Sequence, residues 1–350
     1  MHVELVIPGL VPTQDALQAA FDGLRPPTLE LLFARGRIAR RPRESLEAWL
    51  AEAFGLEVGA LPAGALTALA DDAQATDRGL HWMRADPVHL HLAREQLVLV
   101  PSAAFALTPE EAGALCEALN AHFAGALRIS PCAGHPGCWT ARVEGPALAF
   151  DTPPLEAAGD DVDRHLRAQS DGADVAQARR SHALLNELQM LLHAHPVNAA
   201  REARGELAVN SVWFWGAGPL PPRADGRWRT VSADEPLALG LARLGGARGL
   251  PLAASADGWL ARTPEDGRHL IVLDVLRVPH ALRDVEPYLA GVQALEARWF
   301  APLLDALRTQ RIGMLTLHAP DAAEALSIET VRADLRRFWR RPRALAPWKD

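Results

Sequence analysis

VELVIPGL, residues 3–10, is a short apolar run that ends in Pro8-Gly9. A strand covered on both faces has this texture, because successive side chains point to opposite sides and both sides must be apolar. LIVLDVL (270–276) and IGMLTLHA (312–319) have the same character. Between those two, residues 285–308 read as a helix. After the first, residues 13–24 read as a helix with Thr13 as N-cap, and Pro26-Pro27 stops it. Helical spacing resumes over 28–35, with Leu29, Leu32 and Phe33 on one face. Residues 45–54 form another short amphipathic helix through Leu46, Trp49, Leu50 and Phe54. Strand–helix alternation at both ends of the chain predicts an α/β domain: a parallel sheet with helices on both faces.

From about residue 79 the texture changes. HWMRADPVHLHL (81–92) alternates like a strand interrupted by Asp86-Pro87, and QLVLVP (96–101) reads as a second strand. LTPEEAGALCEALNAHF (107–123) carries a complete helix start: Thr108 caps, Pro109 is the first helical residue and Glu111 closes a capping box. The strands LRIS (127–130), CWTARV (138–143) and ALAF (147–150) follow. This is an α+β block, and the expected organisation is a discontinuous α/β domain, 1–78 plus 175–350, with an α+β domain inserted at 79–174. Residues 176–193 then read as a long helix ended by His195-Pro196, and SVWFWG (211–216) as a strand stopped by Gly216 and Gly218. Gly240 and Gly245-Gly246 read as helix ends.

Composition narrows the class. The chain has 350 residues, 49% of them hydrophobic and 23% charged, with a formal net charge of −7. The apolar fraction suffices for a core, which excludes disorder. No apolar run approaches the roughly 20 residues of a membrane helix. MHVELVIPGLVP lacks the basic start and long apolar stretch of a secretory leader, so the expectation is cytoplasmic. Cys116, Cys132 and Cys138 fit neither a disulfide framework nor a zinc pattern. Lys349 is the only lysine. The acidic balance speaks against nucleic acid as a partner, and nothing suggests a membrane. RADLRRFWRRPRAL (332–345) reads as a basic amphipathic helix paired against the acidic body.

Two clusters are candidates for chemistry. Residues 193–221 pack His193, His195, Asn198, Arg201, Arg204, Asn210, Trp213 and Trp215 around a helix end and a strand. Arginine there suits bidentate binding of an oxyanion; the bland alternative is a helix-to-strand corner in which Asn198 caps a turn and the arginines cover Glu202 or Glu206. In residues 81–92, Arg84 and Asp86 share a strand face, as do His89 and His91. They fit either an internal pair or an arginine oriented toward an anion; no metal-ligand spacing accompanies the histidines. Asp160, Asp161 and Asp163 lack the glycine and closing glutamate of a calcium loop. Dinucleotide, P-loop, zinc-protease and nucleophile-elbow motifs are absent.

Several strings together resemble a known family. ADPVHL (85–90), NELQMLLHAHPVN (186–198), Arg201 with Gly205, NSVWFWGAG (210–218) and RFWRR (337–341) resemble the RpfE-type bacterial regulatory proteins. That family is similar to archaeal-type cofactor-independent phosphoglycerate mutase of the alkaline phosphatase superfamily, whose pattern LTPEEA (107–112) and PTLELLFARG (27–36) also resemble. The resemblance implies an alkaline-phosphatase-like sheet with an inserted α+β domain. It implies two divalent metals held by Asp and His, and a serine nucleophile, for which Ser45 stands in about the right region. The departures point the other way. Ile7-Pro8-Gly9 stands where the first strand of a mutase ends in a metal-binding aspartate, and Leu317-His318 replaces an Asp-His pair. The expected function is therefore non-catalytic: a regulatory or metabolite-binding relative with no cofactor, taking a phosphorylated or anionic small molecule or a protein partner. Arg84, Asp86, His89, His195, Asn198, Arg201, Asn210, Trp213 and Trp215 are the expected ligand-binding residues. The alternative is a manganese- or zinc-dependent mutase or phosphatase with a rearranged site, using Ser45 and ligands drawn from His81, His89, His91, His318, Asp86 and Asp274.

Overall fold

The computed structural model describes residues 1–350 except 13, 60, 72–80, 94–95, 144–151, 159–161, 163–164, 166–174, 264–265, 321–323 and 343–350. Thr13, the ALAF strand and the Asp160, Asp161 and Asp163 run lie outside the described residues. The chain divides into two compact units, Met1–Leu56 with Ala224–Asp350, and Glu57–Arg223.

The first unit begins with β1 (His2–Val6), α1 (Asp15–Asp22), α2 (Pro27–Arg35), β2 (Arg37–Pro42) and α3 (Leu46–Ala53). The second carries α4 (Ala63–Asp71), β3 (His81–Ala93), β4 (Gln96–Pro101), α5 (Pro109–His122), β5 (Leu127–Cys132), β6 (His135–Val143), α6 (Val175–His193), α7 (Pro196–Ala203) and β7 (Ser211–Gly218). The chain then returns to the first unit as β8 (Thr230–Ser232), α8 (Pro236–Leu244), β9 (Arg248–Leu250), α9 (Ala256–Arg262) and β10 (Arg268–Val272). It closes with α10 (Arg277–Leu282), α11 (Val285–Leu295), α12 (Ala301–Arg308), β11 (Met314–Ala319) and β12 (Glu324–Val331).

The first unit holds a seven-stranded sheet in the order β2-β12-β11-β1-β10-β8-β9. The central β1 runs parallel to β10 and β11, aligning Leu5 with Ile271 and with Leu317. β12 and β2 close one side as antiparallel strands. The expected parallel sheet is there, and its three apolar strands lie side by side. Val3, Leu5, Ile271, Leu315 and Leu317 line one face against Phe21, Leu29, Trp259, Tyr288 and Phe300 of the covering helices. Glu296 fastens one of these helices, accepting from the Thr28 and Leu29 amides at 2.8 and 3.2 Å, where α2 begins with unsatisfied N–H groups. Residues 296–300 form a π-turn between α11 and α12, so the helix expected over 285–308 has two α-helical parts.

The second unit is built on an antiparallel sheet, β4-β3-β6-β5, to which β7 adds along β3. SVWFWG thus pairs with the HWMRADPVHLHL strand, and the unit extends beyond residues 79–174 to include α4, α6, α7 and β7. Met83, Ala85, Leu115, Ile129, Trp139, Leu188, Val212 and Phe214 form its core. The capping box of α5 is fully made.

Two readings need correction and one an addition. Gly240 lies buried inside α8, where it is no helix end; Gly245 is the C-cap. His195-Pro196 does end α6, but Pro196 also starts α7, as a proline at the first helical position can. The arginine-rich segment is no amphipathic helix over its described part. It makes one 3₁₀ turn, Asp334–Arg336, because the Asp334 carboxylate takes the Val331 amide and the Arg337 guanidinium.

Candidate functional site

Ligands of open α/β sheets bind where the parallel strands end, so the carboxyl edge of the first unit is the place to look for chemistry. After β1, Ile7 is buried and its amide donates to the His318 carbonyl at 2.8 Å. Gly9 has φ +77°, and a Cβ there would press on His280. The Tyr288 hydroxyl donates to the Gly9 and Leu10 carbonyls at 3.0 and 3.2 Å. The turn is therefore a packed connection with no carboxylate. After β10, the Asp274 carbonyl accepts from the Arg277 amide at 2.8 Å. The Arg277 guanidinium pairs with Glu47 of α3. Burial lowers the Arg277 pKa, but Glu47, Glu235 and Asp274 outweigh it and hold the group charged. One Glu47 oxygen, Oε2, is buried without a partner.

Ser45 caps α3, its Oγ accepting from the Ala48 amide at 3.1 Å. Its neighbour Glu44 has a raised pKa, from burial, which Arg41 only partly offsets. No basic side chain is hydrogen-bonded to the Ser45 hydroxyl among the described residues, so nothing there is set to take its proton.

At the end of β11 the His318 ring lies back on the sheet. Its Nδ1 meets Ser327 Oγ at 2.9 Å and its Nε2 meets Glu4 Oε2 at 3.3 Å. Glu4, buried in the middle of β1, is the hub of this face. Its Oε1 accepts from Trp228 Nε1 at 3.1 Å and from Arg268 Nε and Nη2 at 3.0 and 2.8 Å. Burial opposes the Glu4 charge, yet the His318 hydrogen bond and the Arg268 guanidinium together bring its pKa down to about 2. Trp49 packs at a tilt against His318 with ring centres 4.9 Å apart, and the Arg227 guanidinium lies 4.2 Å over Trp228. This network was not singled out from sequence. The available signal was a glutamate inside a strand otherwise buried on both faces, a place a charge occupies only with partners.

The residues expected to bind a ligand lie in the second unit and fall into separate groups. Arg84, Asp86 and Trp215 meet: Arg84 Nη2 donates to Asp86 Oδ1 at 2.7 Å and Trp215 Nε1 to Asp86 Oδ2 at 2.6 Å. Asn210 bridges both main-chain groups of Leu90 at 2.7 Å, and His89 Nδ1 bonds the Ala208 carbonyl at 2.8 Å. Together they tie β7 and its lead-in to β3. His195 caps α7 through the Val197 amide. Asn198 binds the Leu192 and Val209 carbonyls and the Val209 amide. Arg201, fully buried, donates from its three nitrogens to Leu207 O, Glu111 and Ala106 O. Trp213 Nε1 donates to the Thr152 carbonyl at 2.9 Å. Arg204 pairs with Glu111 and Glu206, the helix-to-strand corner that was the bland alternative. These polar groups bond the protein's own chain.

A pair of divalent metals needs several Asp or His donors converging. Among the described residues, no group of three His, Cys, Asp or Glu side chains is arranged to hold a metal ion. His318 and Glu4 are turned on one another, Asp274 and Glu47 face an arginine, and Ile7 supplies no donor. The described residues do not fit a two-metal centre. His81, His89 and His91 belong to the second unit. The three cysteines are buried free thiols, and burial raises Cys116 to about 12. No helix among the described residues is long and apolar enough to cross a membrane.

Residues 63–198 match the family model of 2,3-bisphosphoglycerate-independent phosphoglycerate mutase. This match lies inside the second unit and reaches neither Ser45 nor the sheet of the first. No curated protein matches. Among solved structures, the PH0037 protein from Pyrococcus horikoshii is similar over 94% of this chain and 87% of its own, at 13% identity and a TM-score of 0.57, a likeness of fold. The cofactor-independent phosphoglycerate mutase from Thermoplasma acidophilum aligns over 94% of this chain and 89% of its own, at 16% identity and a TM-score of 0.43.

Proposed function

We propose that this chain is a regulatory or metabolite-binding protein related to phosphoglycerate mutase, of the RpfE type, in which two-metal phosphoryl transfer has been lost. The supporting observation is how the carboxyl edge of the parallel sheet is used. The groups there are spent on one another: Glu47 on Arg277, His318 on Glu4, and the main chain at Gly9 and Leu10 on Tyr288. Phosphoryl transfer needs a nucleophile with a base or metal beside it and a cation to neutralise the moving charge. Ser45 serves instead as a helix cap. The proposed ligand is a phosphorylated or anionic small molecule.

The test is metal content of the purified protein together with manganese-dependent turnover of 3-phosphoglycerate and of p-nitrophenyl phosphate. The expected result is neither bound metal nor turnover, with a thermal midpoint raised by particular phosphorylated metabolites. Stoichiometric metal with turnover lost in Ser45→Ala would overturn the reading and establish a metal-dependent mutase or phosphatase.

A further inference from the structure

We infer that the outer edge of β2, with the arginine-rich segment beside it, is a docking surface for an extended acidic segment of a protein partner, which adds to the sheet as a further strand. β2 is the last strand on its side of the seven-stranded sheet and pairs only with β12 among the described residues. Alternate residues of such a strand turn main-chain N–H and C=O groups outward, which is a template for another strand. Its sequence is RIARRP, nearly all exposed, with Ile38 45% exposed as the apolar member.

The charge around it departs from the rest of the molecule. The protein is acidic overall, yet Arg37, Arg40, Arg41 and Arg43 lie on or next to β2. The segment leaving β12 adds Arg332, Arg336, Arg340 and Arg341, none with an ion-pair partner among the described residues. Arg37, Arg40 and Arg41 do pair with Glu329, Glu324, Glu44 and Glu52. Glu44 is largely buried, but the pairs with Glu329, Glu324 and Glu52 are surface pairs, worth little and readily exchanged for a partner's carboxylates.

The third observation is a pair of rings. Phe338 and Trp339 are 77% and 67% exposed and meet edge to face with centroids 5.3 Å apart. They stand on a segment fastened to the start of β2: Arg35 Nη1 donates to the Leu335 carbonyl at 2.6 Å, and Arg337 Nη1 donates to the Arg35 carbonyl at 2.9 Å. A fixed pair of exposed aromatic rings beside guanidinium groups is the composition of an interface anchor. Nucleic acid and anionic lipid share the taste for arginine and aromatics. Only a polypeptide also uses the outward row of alternating donors and acceptors, and this decides for a peptide strand. The inference does not rest on the metabolite-binding reading, since this surface lies at the side of the sheet.

The test uses the full chain and a short fluorescein-labelled peptide of alternating Glu and Val with a terminal Phe, read by anisotropy. Controls are the same peptide with Gln for Glu, the same peptide N-methylated at alternate residues, a single-stranded oligonucleotide, and phosphatidylserine vesicles. The acidic peptide should bind, and each peptide control should bind roughly tenfold more weakly or worse. The double variant Phe338→Ala with Trp339→Ala should lose a similar factor, as should Arg340→Glu with Arg341→Glu, each with an unchanged thermal midpoint to show that it folds. No binding of the peptide, equal binding of its N-methylated form, or preference for oligonucleotide or vesicle would each overturn the inference.

Discussion

Glu4 is a carboxylate inside a sheet, and its neighbours determine what it contributes. Its ordinary pKa of 4.5 falls to about 2 in the folded chain. The folded state therefore holds the charged form more firmly than the unfolded state does. That stabilisation is complete above the ordinary carboxylate range and is lost as pH falls from about 4.5 toward 2. Glu4→Gln should lower stability near neutral pH by roughly 3 kcal/mol, the linkage value of such a shift in a mostly buried group. The difference from wild type should shrink across that acid window, as urea unfolding at a series of pH values would show. Asn198 works at the same scale without charge: Asn198→Ala strands the Leu192 and Val209 carbonyls and the Val209 amide. About 2–4 kcal/mol should be lost, measurable by the same unfolding curves.

Elements meet with little slack where glycine allows it. The Gly64 position in α4 lies so close to β3 that a Cβ would overlap the main chain of Met83. Gly64→Ala should therefore destabilise by about 3 kcal/mol or more, despite alanine's better helix propensity, and Gly113→Ala in α5, which faces open space, should not. Thermal midpoints of the two variants decide it. What the sequence made legible follows from the same packing. β1, β10 and β11 announced themselves because both their faces are covered, and α5 because its capping box is complete in four letters. β2 was not legible: an exposed edge strand of arginines lacks apolar alternation. β8 and β9, three residues each, are too short to show any period. The site was least legible. Buried asparagine and arginine have the same letters whether they hold a ligand or the chain itself, and only hydrogen-bond partners separate the two. For Asn198, Arg201 and Asn210 those partners are main-chain groups and Glu111.

At the scale of the whole molecule, one unit is continuous in sequence and the other is not. Residues 57–223 contain their own antiparallel sheet and core. Expressed alone, this stretch should fold, giving a single cooperative thermal transition with the circular dichroism of a mixed helix and sheet protein; a chain that stays unfolded would refute it. The first unit is different, because its sheet joins strands from both ends of the chain. Among the described residues β2 pairs only with β12, roughly 290 residues later. At about 5–20 residues per second of synthesis, a newborn β2 waits something like 15 to 60 seconds for its only described neighbour to be made. Through that interval a strand of valines would seek out other nascent chains; one written in arginines repels its own copies and stays in water until β12 arrives.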